Sequence, residues 1–391
     1  MQTSFPLHSP DFYAGDPYPS YRELRATAPV CWNDVTKFWA LTRYDDIRFV
    51  STNPALFTSG QGINIPALGM PNPVQESSLI FMDPPRHRQL RKLINCGFTR
   101  RLGVRLEPAI REIVDEILDG IQPGSVHDFV ETIAAPLPAR MIAELLGVRR
   151  DDWEQFRAWT DAVIGTAGTN RDLDAFETAG RLYHCIRGLI VASRTDARDD
   201  VLSVLAGAEA DGRRLSDDEL LDFSFLLLAS GSETTRSLLA LGTCALIAHP
   251  DQRRLLVEDP ALIPGAVEEM LRWTSPVTHM ARTATAEVEI RGQRIAAGDM
   301  VVLLYGSANR DEDVFGADAE EFRVTRSPNP HIAFGCGEHA CVGAQLARLT
   351  ASVFFGELLD RFPDLAQAGE VDRMPATMLP LITRMPVRFG S

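Results

Sequence analysis

The residues best suited to chemistry lie in the run Phe334-Gly335-Cys336-Gly337-Glu338-His339-Ala340-Cys341-Val342-Gly343, followed by the strongly helical pattern AQLARLTASVFFGELL. A glycine-rich turn of this kind presents Cys341 at the start of a helix. Unpaired backbone N–H groups and the helix dipole there favour thiolate, the form that ligates metal. Glycines let the backbone come close to a flat cofactor. Two other readings stay open: a buried turn with an inert thiol, and a zinc site built from Cys336, His339 and Cys341. The zinc reading finds no matching second ligand pair elsewhere in the chain.

Three further groups carry chemistry. Ser230-Gly231-Ser232-Glu233-Thr234-Thr235 crowds small and hydroxyl residues into an apolar helical stretch, a breach of local rules that points to function. An acid beside an alcohol in a buried groove can relay protons from solvent. The threonines could equally bond back to carbonyls one turn earlier. Glu268, Glu269 and Arg272 in VEEMLRW lie within one helical turn, so either carboxylate could pair with the arginine. His87 and Arg91 stand four apart on one helix face, and Arg282 begins a strand. These are candidate donors for an anion, or else solvated charges.

The elements that must position these groups are mostly helices. Ser216 and Glu219 form a capping-box pair opening a helix predicted to run to about Ala248 and to stop at His249-Pro250. Its middle is apolar on nearly every face, which predicts burial. From about Pro84 to Pro250 apolar residues recur at helical spacing, as in Ile110, Ile113, Val114, Ile117 and Leu118. Strands are few. A hairpin followed by a helix is expected between Pro29 and Phe57, a second β region at Val277 to Tyr305 turning at Gly292, and a third near Leu379 to Phe389. Residues 60–79 mix Gly, Pro and Asn with Ile, Leu and Met, the pattern of a loop. The fold class read from this is mainly α with small β regions (α+β), as one domain over residues 1–391.

Net charge is −14, which opposes binding to nucleic acid or anionic membrane. Between Arg86 and Arg105, however, seven Arg or Lys residues occur with no Asp or Glu. Six cysteines are few for the length and sit singly, so a disulfide framework is not expected. No secretory leader pattern and no long apolar run stands out, and a cytoplasmic protein is expected.

Together these motifs resemble the cytochrome P450 haem-thiolate monooxygenases, whose cysteine loop reads Phe-x-x-Gly-x-His/Arg-x-Cys-x-Gly; every fixed position matches here, and the resemblance covers nearly the whole chain. It implies haem b with Cys341 as the axial thiolate, Phe334 packed near that thiolate, and His339 on a haem propionate. His87, Arg91 and Arg282 match the other propionate-binding positions, and Glu233 with Thr234 matches the acid-alcohol pair. Glu269 and Arg272, joined by Arg326 in FRVTR, match a structural element holding the cysteine-loop side of the haem. Ser230, where Ala or Gly is usual, and the extra thiol Cys336 are departures. The implied activity splits O2 with two electrons and two protons and inserts one oxygen atom into a C–H bond of an apolar molecule. Terpenoids, steroids and fatty acids are the classes suggested. The electrons would come from a ferredoxin or flavodoxin docking on the positive segment Arg86 to Arg105. A peroxygenase of the same fold and a non-catalytic haem-thiolate binder are the alternatives. The pocket is expected from the 60–79 loop, the region Ile164 to Phe176, Leu226, Ala229, Val277 to Met280 and Met378.

Overall fold

The computed structural model describes residues 5–66, 76–165, 173–196 and 200–390. A five-stranded sheet stands at one side of a larger helical body. It comprises β1 (Val30–Asn33), β2 (Phe38–Leu41), β3 (Phe57–Thr58), β4 (His279–Ala284) and β5 (Met300–Leu304), in the order β1-β2-β5-β4-β3. Val30 faces Leu41 across the antiparallel hairpin, β2 and β5 run parallel with Phe38 beside Met300, and β5 pairs antiparallel with β4. The predicted hairpin is present, followed by helix α1 (Tyr44–Thr52). The region 277–305, which the sequence shows as one alternating stretch, is broken into four short strands. The tight turn falls at Arg291 and Gly292, with φ of 48° and 73°, the paired positive values of a two-residue hairpin turn.

The helical body includes α2 (Arg86–Asn95), α3 (Arg100–Asp119), α4 (Pro136–Leu145), α5 (Trp153–Gly165), α6 (Asp217–Ala248), α7 (Ile263–Thr274) and α8 (Ala344–Arg361). At 32 residues, α6 is about 48 Å long and spans the molecule. Both bonds of its capping box form: the Glu219 amide donates to Ser216 Oγ at 3.1 Å, and the Ser216 amide to Glu219 Oε2 at 3.0 Å. Burial of α6 is not uniform. Leu220, Leu228, Leu239 and Leu246 are sealed in the core, while Ala229 and Ser230 are exposed. The largest apolar cluster joins α2 through α8, and two smaller ones cover the faces of the sheet. Among the described residues no helix is long and apolar enough to cross a membrane.

Candidate active site

The loop from Phe334 to Gly343 runs between the sheet and α8. The Cys341 amide donates to the Phe334 carbonyl at 2.9 Å, closing the loop, and Cys341 lies two residues before the N-cap Gly343. Gly335 and Gly337 have φ of 66° and 74°, a region glycine enters without cost. A Cβ on Gly337 would overlap the Ser51 carbonyl, so the packing of α1 demands glycine there; the expectation of a cofactor approach gave a different reason. The electrostatic expectation for Cys341 also needs correction. Burial pushes its thiol up, and the opposing pull of the Gly343 amide, Arg91 and Arg348 does not reverse this. A metal cation at the sulfur favours the thiolate. Cys336 makes a side-chain hydrogen bond with Ser51, and burial raises its thiol as well. Among the described residues no group of three His, Cys, Asp or Glu side chains is arranged to hold an ion, which removes the zinc reading.

Cys341 opens on a cavity with about 1650 Å³ of atom-free space, part of it continuous with solvent. One end is cationic. His87, Arg91, Arg282 and His339 all reach this wall. His87 is 1% exposed, and neither ring nitrogen has a hydrogen-bond partner. Burial and the nearby Arg91 charge hold it below the ordinary histidine range. Its ring lies 4.3 Å from that of His339, whose own titration is pushed down to about 2 by burial, then by Arg282, His87 and Arg91. His339 Nε2 is 3.2 Å from Ser59 Oγ. Arg282 is buried and donates to the adjacent Ala281 carbonyl, while Arg91 donates to the Ala340 carbonyl. Orphaned donors and cations converging on one buried wall are costly unless an anion meets them. The carboxylates of a haem fit that requirement, with the thiol of Cys341 on the same cavity.

The opposite wall is α6. Ser230, Gly231, Thr234 and Thr235 line it. Thr234 Oγ1 donates to the Ser230 carbonyl at 2.6 Å, so the back-bond and the cavity-facing position coexist. Glu233 is not on the wall. Its carboxylate is 3.5 Å from Arg236 Nη1, and burial raises its titration, with Asp161 adding and Arg236 opposing. The rest of the lining is apolar: Leu79, Ile80, Phe98, Met141, Ile142, Leu145, Phe223, Leu226, Leu227, Val277 and Met280. Leu226 and Val277 to Met280 were expected to contribute; Ala229 and Met378 do not reach it. Residues 67–75 and 166–172, and the side chains of 164, 165 and 173–176, lie outside the described residues. Phe98, Phe223 and the α4 residues were missed. Their helical spacing reads as core, and only the fold turns that face inward.

Two carboxylates of α7 grip the cysteine loop. Glu269 and Arg272 form a bidentate pair at 2.7 Å, both fully buried. Arg326 Nε is 3.2 Å from Glu269, and Asn329 Nδ2 and the Arg323 amide donate to the same carboxylate. Arg272 also donates to the carbonyl of Asn309, whose side-chain oxygen accepts from the Ile332 amide at 2.8 Å. The Ile332 carbonyl in turn accepts from Gly335. The structure thus pairs Glu269 with Arg272, and gives Glu268 to Arg348 at 2.6 Å and to His331 at 3.0 Å. The Arg348 guanidinium lies 4.5 Å over the Phe334 ring. Arg348 and His331 were missed, because both acids lie within reach of Arg272 by helical spacing and nothing local marks a second partner for Glu268. On the positive segment, Arg86 pairs with Glu219, Arg88 with Glu338 and Lys92 with Asp211. Acids from elsewhere in the chain thus offset a surface that reads as uncompensated in sequence.

A long helix, a cysteine loop and a cluster of anion donors thus line one cavity, the set of groups a haem-thiolate enzyme requires. The sequence model of the cytochrome P450 family matches residues 186–388. Across 97% of the chain and 95% of the relative, the sequence is 40% identical to a steroid C26-monooxygenase of Mycobacterium tuberculosis. It is 36% identical to a methyl-branched lipid omega-hydroxylase of Mycobacterium bovis, covering 98% of this chain and 94% of that one. Among solved structures, CYP109E1 of Bacillus megaterium in complex with testosterone has a TM-score of 0.88 at 33% identity, covering 96% of this chain and all of that one. Mycobacterium marinum CYP268A2 in complex with pseudoionone has a TM-score of 0.87 at 36% identity, covering 100% and 99%. The chain belongs to the cytochrome P450 family. It is a monooxygenase of the oxidoreductase class, and its cofactor is haem b with a cysteine thiolate as axial ligand. Its reaction takes a small-molecule substrate, O2 and a redox partner.

Proposed function

We propose that this protein, a single cytoplasmic domain over residues 1–391, hydroxylates an apolar terpenoid, steroid or fatty-acid-like molecule, with Cys341 as the haem ligand. The carrying observation is that Cys341, the orphaned ring of His87, the buried guanidinium of Arg282 and the hydroxyl of Thr234 share one largely apolar cavity. The haem supplies electron storage and dioxygen activation. The chain supplies the rest. His87, Arg91, Arg282 and His339 hold the propionates, and Phe334 with Arg348 shields the sulfur. Thr234 offers a hydroxyl on the wall, and Glu233 receives protons from the solvent side of α6. Glu269, Arg272 and Arg326 fix the loop that carries Cys341. A ferredoxin or flavodoxin docks on the face bearing Arg86, Arg88, Lys92 and Arg105 and supplies the electrons. Known activities of steroid- and lipid-oxidising relatives favour an apolar substrate, as does the Leu, Phe and Met lining.

The test is the absorption spectrum of the reduced protein under carbon monoxide. A strongly red-shifted Soret band is expected for the natural sequence and for Cys336→Ser, and its loss for Cys341→Ser. Retention in Cys341→Ser would move the ligand to Cys336.

A further inference from the structure

Ser230 has no part in the reading above, yet it stands exposed on the cavity wall one helical turn before Thr234. Its Oγ donates to the Leu226 carbonyl at 2.6 Å. A hydroxyl carries one proton and two acceptor lone pairs. With the proton committed to the backbone, what Ser230 shows the cavity is an acceptor. Its neighbours on the wall, Phe223, Leu226, Leu227, Val277 and Met280, offer no hydrogen bond through their side chains. Thr234, one turn on, has its own proton committed to the Ser230 carbonyl, so a ligand atom facing Ser230 meets acceptors and no free side-chain donor in otherwise apolar surroundings, where satisfying an acceptor matters more than in water. A hydroxyl on the ligand does so. A ketone or ether oxygen sets lone pair against lone pair, unless Ser230 first gives up Leu226.

We propose that Ser230 is a specificity-determining residue that accepts a hydrogen bond from a hydroxyl on an otherwise apolar substrate, so that the enzyme prefers apolar alcohols to ethers or ketones on the same skeleton. This rests on the monooxygenase site described under the proposed function. It adds the chemical class that the site selects.

The experiment is calorimetric binding to haem-loaded enzyme of two matched sets: geraniol with its methyl ether, and testosterone with its 17-methyl ether and the 17-ketone. In at least one set the alcohol should bind about five- to tenfold more tightly than its partners, the range of one net hydrogen bond. Ser230→Ala should reduce that ratio to below about twofold, weakening binding of the alcohol and relieving the repulsion felt by the ether and ketone. Ser230→Thr, which keeps the hydroxyl, should restore it. Equal ratios in the natural and Ala proteins overturn the proposal. So does a failure of all five ligands to bind a protein with an intact thiolate-type spectrum. If that spectrum is itself absent, the haem-thiolate reading fails, and this inference falls with it.

Discussion

Thr234 faces the cavity while Glu233, one position earlier, turns its carboxylate to Arg236, as expected for neighbours about 100° apart around a helix. A proton reaching Thr234 from Glu233 must leave the company of Arg236 and Asp161, so those two charges set when the acid is loaded. In the proposed relay Glu233 would deliver a proton only while protonated, so coupling of electron use to product should fall as pH rises through its titration. Arg236 lowers that titration and Asp161 raises it. Arg236→Gln should therefore move the alkaline limb of the coupling profile upward and Asp161→Asn should move it downward; limbs that stay in place would take Glu233 out of the relay. Glu268 gives a second case. Burial alone would raise its carboxyl, but hydrogen bonds from His331 and Arg348 and the Arg348 charge bring it from 4.5 down to about 2. A depressed carboxyl stabilises the fold fully above its unfolded value and loses that contribution as pH falls toward the folded one. Glu268→Gln should cost roughly 1–3 kcal/mol at neutral pH, and urea titrations should show the gap closing between about pH 4.5 and 2. The shared cavity of Cys341 and Thr234 was legible because each sits in a short motif of recognisable spacing. Arg348 and His331 were not, since their partner Glu268 lies more than sixty residues away in the chain.

The contact between α1 and the cysteine loop tests how elements hold the site. Gly337 lies against the Ser51 carbonyl at a positive φ, so an added Cβ meets both a clash with backbone and a strained conformation. Gly337→Ala should shift the loop and lower haem occupancy well below that of the natural protein, while far-ultraviolet dichroism stays largely helical. Full occupancy would show that the loop gives way freely. The Ser216–Glu219 capping box starts α6, and Glu219 also pairs with Arg86 and Arg213. Ser216→Ala should cost about 1 kcal/mol in thermal or urea unfolding, and Glu219→Ala more, since it frees two cations, Arg86 and Arg213, as well as an amide. The helix was readable end to end because its start is a local chemical signature and its stop is Pro250. The strands Phe57–Thr58, Val126–Asp128 and Glu209–Ala210 were not. Two or three residues cannot display a period of two, and pairing partners distant in sequence decide them.

Across the whole molecule, a net charge of −14 repels an acidic electron donor, and the local field around α2 opposes that repulsion. This field is weaker than the sequence suggests, because Arg86, Arg88 and Lys92 each hold an acid in the folded chain. Docking of a ferredoxin or flavodoxin there means sharing or exchanging those pairs, an exposed-charge process screened over about 10 Å at 0.1 M salt. Two opposing terms then act on the rate of reduction. Salt screens the global repulsion, which speeds encounter, and screens the local attraction, which slows it. The nearer charges dominate once partners are within a Debye length, so reduction by an acidic ferredoxin should slow several-fold between about 0.05 and 0.3 M salt. Lys92→Glu should slow it further at low salt and flatten the dependence, whereas Asp211→Asn, which releases Lys92, should quicken it. Rates that rise with salt in all three proteins would place the donor away from α2, on a part of the surface where the overall negative charge prevails.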